Sequence, residues 1–151
     1  MFSRSAGYSI QALTYLAGQP SGKLTGAREI ATAWRIPMPY LWKILRNLSQ
    51  KRLLCSFEGV RGGYELARPA QKISLNQILA ATPDNDWVAA CVLGLGPCDD
   101  HNPCPLHTWW KNLRPEMQEF MEGTTLDLAR EWPKSVQKRP PSWARNRSIR
   151  P

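Results

Sequence analysis

Residues 36–66 read IPMPYLWKILRNLSQKRLLCSFEGVRGGYEL, and this stretch decides the fold. Leu41, Ile44, Leu45 and Leu48 recur at spacings of three and four, the apolar stripe of a helix. The other side carries Trp42, Lys43, Arg46, Asn47 and Gln50. Pro39 suits the first helical turn, where its missing N–H has no partner to lose. LLCSFEG and VRGGYELA then read as two short strands around a Gly-rich turn. Arg61 stands at that turn among Gly59, Gly62 and Gly63.

Working outward towards the N-terminus, residues 6–17 read as a helix with Tyr8, Ala12, Leu13 and Leu16 on one face. GQPSGK breaks it. Thr25 is expected to cap a second helix whose inner face is Ala27, Ile30, Ala31 and Trp34. Two short helices joined by a tight turn, the second with a basic outer face, form a helix-turn-helix, and a hairpin directly behind it is a wing. The expected fold is therefore mainly α with a small β-hairpin: a winged helix-turn-helix domain plus a long dimerisation helix. The major groove of DNA admits one helix and rewards donors aimed at base edges and phosphates. An arginine on a glycine-rich tip can enter a narrow minor groove, where the negative potential is enhanced. The candidate DNA contacts are Arg28, Pro39, Tyr40, Trp42, Lys43, Arg46 and Arg61.

The charge distribution agrees. Residues 1–72 hold eleven Lys/Arg against three Asp/Glu, residues 73–132 three against nine, and residues 133–151 six against none. A basic head and tail flanking an acidic middle point the two ends at a polyanion. The chain carries no secretory signal pattern, and its longest near-apolar run, WVAACVLGLGP, is far shorter than a membrane span. A cytoplasmic protein that avoids membranes is expected, in which clustered cysteines favour metal or redox chemistry over a disulfide framework.

Towards the C-terminus, SLNQILAA reads as a short helix capped by Ser74. Residues 108–131 resume a helical rhythm, with Trp110, Leu113, Met117, Phe120 and Met121 on one stripe and Pro115 and Gly123 as points of disturbance. Such a stripe needs a partner; a second copy suits a DNA reader, because paired half-sites match a two-fold dimer, and packing on its own domain is the alternative. The four regions expected are a DNA-binding domain over 1–80, a linker helix and cysteine loop over 81–107, a dimerisation helix over 108–132 and a basic, disordered tail over 133–151.

Between the two halves lies CVLGLGPCDDHNPCPLH, residues 91–107, with three of the four cysteines and both histidines. The spacing Cys91-x6-Cys98-x5-Cys104-x2-His107 differs from common zinc fingers, which begin with two cysteines two to four residues apart. Gly94, Gly96, Pro97 and Pro103 favour turns, and turns let thiolates converge. Asp99 and Asp100 follow Cys98, and negative charge there raises a thiol's pKa unless a bound cation reverses the balance. That favours ligation over nucleophilic catalysis. Iron–sulfur clusters are usually held by thiolates, with histidine able to replace one. His101 is expected to be a solvated loop residue, and Cys55 a small buried thiol.

At these residues the chain resembles the Rrf-two family of bacterial winged-helix regulators, which includes iron–sulfur and nitric-oxide sensors. The resemblance covers roughly residues 5–130. It is carried by YSIQALTYLA, IPMPYLWKILRNLSQKRLL, RGGYELARPAQKISLNQIL, the three-cysteine loop and TLDLA. It implies a homodimer on a palindromic operator, with the recognition helix in the major groove and the wing arginine in the minor groove. It also implies a 2Fe–2S or 4Fe–4S cluster on Cys91, Cys98, Cys104 and His107. In some relatives an N-terminal aspartate completes the site; the matching position here is Gly7, which cannot ligate. The first cysteine gap is six residues where these relatives have five, within a glycine-rich stretch that can absorb it. Pro37, Met38 and Pro39 replace small polar residues, and Trp42 and Lys43 occupy base-reading positions, so a different operator is expected. The alternative keeps the DNA-binding module and makes the loop a structural zinc site or leaves it metal-free. No CxxC pair, phosphate loop or Ser/His/Asp set supports an enzyme.

Overall fold

The computed structural model describes residues 3–83 and 89–131, with backbone only for the last three. The tail expected over 133–151 lies outside the described residues, as does the 84–88 part of the linker. Helix α1 (Arg4–Ala17) opens on Ser3, whose hydroxyl accepts the Ala6 N–H at 3.1 Å, and closes at Gly18. Helix α2 (Ala27–Trp34) and helix α3 (Met38–Gln50) follow. Between them Arg35 adopts the left-handed region (φ 54°), which lets the Ile36 N–H reach the Ala31 carbonyl at 3.0 Å and turns Ile36 into the core.

The three helices enclose one core. Leu13 of α1, Ile30 of α2 and Leu41, Leu45 and Leu48 of α3 are fully buried, joined by Leu53 and Ile73. Truncating any such leucine to alanine costs about 2–5 kcal/mol. The stripe read from α3 is thus its buried face, and Pro39 falls within its first two positions. The inner face of α2 consists of Ile30, Ala31 and Trp34, with Ala27 half-buried.

Strand β1 (Leu54–Phe57) pairs antiparallel with β2 (Gly63–Leu66), in the register Leu54↔Leu66 to Phe57↔Gly63. Thr25 corrects one expectation. It does not cap α2; Gly26 occupies that position without a side-chain bond. Thr25 instead exchanges both backbone hydrogen bonds with Tyr64, at 3.0 and 2.9 Å, and so seats the wing on the helical core. This close approach explains the paired glycines. A Cβ on Gly63 would lie 2.9 Å from the Thr25 carbonyl oxygen, and one on Gly62 would overlap the Phe57 carbonyl.

Helix α4 (Leu75–Ala80) starts with a full capping box. The Ser74 hydroxyl accepts the Gln77 N–H, and the Gln77 side chain accepts the Ser74 N–H, each at 3.2 Å. Residues 81–83 and 89–106, the described part of the expected linker ahead of α5, contain no helix and run in turns and bends with one short bridge. Helix α5 (His107–Gly123) passes through Pro115 without a break and ends at Gly123, short of the expected Glu131. A 3-10 segment, Leu126–Glu131, follows. The reason is tertiary. Thr124 accepts the Leu75 N–H at 2.8 Å and Leu126 donates to Ile73 at 2.8 Å, which pulls the chain back onto the core and buries Leu126.

The α5 stripe divides. Trp110 and Met121 are buried in a satellite core with Ala6 of α1 and Leu79 of α4, and Leu113 and Met117 pack partly against it. Phe120 stays 64% exposed and Trp109 57%. No helix among the described residues is long and apolar enough to cross a membrane.

Candidate functional site

Two sites emerge, and α1 lies between them. The first is the outer face of α3. Pro39, Tyr40, Trp42, Lys43 and Arg46 are exposed along it, Trp42 by 59%, with Arg28 exposed on α2. A tryptophan is left open to water here because the helix places it opposite Leu41, Ile44 and Leu45. Tyr40 also lies with its ring centroid 6.2 Å from that of Tyr8 in α1. Arg61 is exposed at the wing tip, beside the fully exposed Val60. Gly59 (φ 100°) shapes that tip, and its carbonyl accepts the Gly62 N–H at 3.0 Å.

The second site is the cysteine loop. Residues 89–98 form a small hairpin. Cys91 donates its N–H to Gly96 at 2.8 Å, Cys98 donates to Ala89 at 2.9 Å, and Ala90 bridges Pro97. Gly94 (φ 72°) and Gly96 (φ 100°) supply left-handed turns that strain other residues. The six residues between Cys91 and Cys98 form this turn. The Trp110 indole N–H donates to the Ala90 carbonyl at 3.0 Å and fastens the hairpin to α5, with the Arg114 guanidinium 5.7 Å from the Trp110 ring.

The four residues singled out in the sequence come together as two pairs. Cys91 Sγ lies 3.6 Å from Cys104 Sγ, and Cys98 Sγ lies 3.4 Å from His107 Nδ1. The pairs are close enough for Cys98 to act electrostatically on Cys104. The backbone N–H groups of Leu93, then Leu95, aided by Cys104, hold the Cys91 thiol below its ordinary pKa despite burial. Burial pushes Cys104 up. Among the described residues, no group of three or more His, Cys, Asp or Glu is arranged to hold a metal ion as it stands.

The acidic residues bond to basic neighbours. Asp99 accepts from the backbone and ring of His101, at 2.9 and 3.0 Å. His101 is exposed, and Cys55 is half-buried in β1. Asp100 lies 2.7 Å from His107 Nε2 and 2.8 Å from Lys111 Nζ through both oxygens. Lys111 first, then His107, hold its carboxyl at about 2. Sequence reasoning missed this contact and weighed Asp100 only as a charge beside Cys98. The available signal was Lys111, one helical turn beyond His107.

A family model described as Rrf2, iron-dependent transcriptional regulator, matches residues 2–130. The chain belongs to the Rrf2 family. It is a transcriptional regulator and not an enzyme. A protein of Aquifex aeolicus assigned as an HTH-type transcriptional regulator is 34% identical over 128 residues, covering 83% of this chain and 88% of that one. The HTH-type transcriptional regulator IscR of Vibrio campbellii is 26% identical over 119 residues, covering 79% and 70%. Among solved structures, CymR, the global cysteine regulator of B. subtilis, superposes with a TM-score of 0.71 at 22% identity, covering 88% of this chain and 98% of CymR. At that identity the likeness shows the fold, and the fold is that of the winged-helix Rrf2 regulators.

Proposed function

We propose that this Rrf2 regulator binds a palindromic operator as a homodimer, under the control of an iron–sulfur cluster held by Cys91, Cys98, Cys104 and His107. The observation that carries the reading is the two donor pairs, Cys91–Cys104 at 3.6 Å and Cys98–His107 at 3.4 Å. Three thiols and one imidazole suit a polynuclear 2Fe–2S or 4Fe–4S group, whose ligands need not converge on one ion. When bound, such a group supplies a centre sensitive to redox state and nitric oxide.

The chain's own residues supply the rest. In this reading α3 enters the major groove with Trp42, Lys43 and Arg46 facing bases and phosphates, flanked by Pro39, Tyr40 and Arg28, and Arg61 reaches the minor groove. Cys98 packs against the satellite core of Ala6, Leu79, Trp110 and Met121. Ala6 lies on α1, which also packs on α3 and carries Tyr8 to Tyr40. A change in how Cys98 is held is therefore felt along α1 at the start of the recognition helix. Control requires only that the two states differ in DNA affinity, and tenfold control corresponds to about 1.4 kcal/mol. The exposed apolar side of α5, Trp109 and Phe120, supports the second copy.

Anaerobic purification tests the reading, through the absorption spectrum, iron and acid-labile sulfide counts, and DNA selection with and without the cluster. A coloured protein with iron and sulfide, whose operator affinity changes on cluster loss, is expected. A colourless protein with stoichiometric zinc, or equal operator affinity in both states, overturns it.

A further inference from the structure

The shortest side-chain contact of His107 is with Asp100 rather than with a thiol. Its Nε2 lies 2.7 Å from Asp100 Oδ1, and its Nδ1 faces Cys98 Sγ at 3.4 Å. Its backbone N–H donates to Cys104 at 2.9 Å, which anchors the residue at the first turn of α5. Only a tenth of the His107 side chain is exposed. Asp100 is fixed in turn by Lys111, which donates to both carboxylate oxygens at 2.8 Å.

An ionised carboxylate only accepts hydrogen bonds, so the Nε2 it faces carries a hydrogen. In a neutral imidazole the other nitrogen is then a bare lone pair. Here that nitrogen is Nδ1, on the side of the Cys98 thiol. We propose that Asp100, held by Lys111, is the positioning residue for His107: it fixes the Nε2–H tautomer and presents Nδ1 as the donor to the centre the thiolates grip. The proposal rests on the reading of His107 as the fourth ligand. A carboxylate on the outer nitrogen of a ligating histidine orients the ring and raises its basicity, and its loss typically costs 10–100-fold in metal affinity. A solvated ion pair between Asp100 and Lys111 alone would leave the ring untouched, whereas the contact to Nε2 closes the chain from lysine to ligand.

The test uses the full chain, wild type and the variants Asp100→Ala and Asp100→Asn. In the reduced, metal-free protein at neutral pH, two-bond proton–nitrogen NMR correlations read the His107 tautomer. Nε2–H is expected in wild type and in Asp100→Asn, whose amide oxygen still accepts, with the preference lost in Asp100→Ala. After anaerobic loading with ferrous iron and sulfide, the half-life of the visible absorption is followed against excess chelator. It should fall about 10–100-fold in Asp100→Ala and less in Asp100→Asn, with a cooperative unfolding transition retained in both apo-proteins. An Nδ1–H tautomer in wild type, or a loaded Asp100→Ala as long-lived as wild type, overturns the role of Asp100 alone. A wild-type chain that takes up no iron and sulfide overturns the cluster reading, and the role with it.

Discussion

At the scale of single residues, burial separates side chains that hold the fold from those left to meet a partner. Leu41 and Trp42 are neighbours in sequence, one fully buried and the other 59% exposed. Arg61 is the sharpest case, because Val60, Gly59 and Gly62 around it add no competing charge and the tip is open. Replacing Arg61 by alanine is expected to cost roughly 1–3 kcal/mol of specific operator binding. Fold stability should not change; fluorescence anisotropy on a selected operator, with thermal melting alongside, checks both. These candidates were legible because charge and periodicity are local properties. The link from Asp100 to His107 was not, since it depends on how the loop folds over α5.

At the scale of elements, α1 and α2 are tied at the surface by Glu29. It accepts from Lys23 at 2.9 Å and from the Tyr15 hydroxyl at 3.0 Å. These bonds, Lys23's first, hold the Glu29 carboxyl below the usual carboxylate value. A group whose pKa is lower folded than unfolded adds stability above its unfolded value, about pH 4. That contribution is lost as pH falls through the folded value. Solvent screening keeps it small. The difference in unfolding midpoint between wild type and Glu29→Gln should therefore be present at pH 7 and vanish under acid; equal midpoints at both pH values would contradict it. Helix α4 depends on its cap: Ser74→Ala removes one half of the capping box and should cost about 0.5–2 kcal/mol by denaturant titration. The Ser74 cap was readable from SLNQ, whereas the supposed Thr25 cap was not a cap, because a distant strand residue, Tyr64, claimed both of its backbone groups.

At the scale of the whole molecule, α5 has a buried side and an exposed one. Trp110 and Met121 close the satellite core, while Phe120 and Trp109 remain exposed. Phe120→Glu is expected to yield a monomer in sedimentation or light scattering and to weaken operator binding, with the unfolding transition retained. A dimer of unchanged affinity would remove this face from the interface. The six cations of residues 133–151 carry no base-reading geometry in their sequence. Deleting that segment should flatten the dependence of log K on log salt by up to about 5 per subunit, about 11 for the dimer, with sequence preference kept. A changed operator preference would assign it a reading role.

The sequence by itself determined the winged helix-turn-helix, the basic α3 face and the glycine-rich wing. Each of these follows from spacing along the chain. Only the tertiary structure decided that α5 stops at Gly123, that its apolar stripe turns inward except at Phe120, that Thr25 seats the wing, and that Asp100 and Lys111 stand behind His107. These outcomes come from hydrogen bonds and packing between residues far apart in the chain or brought together by a turn, and local periodicity carries no record of them.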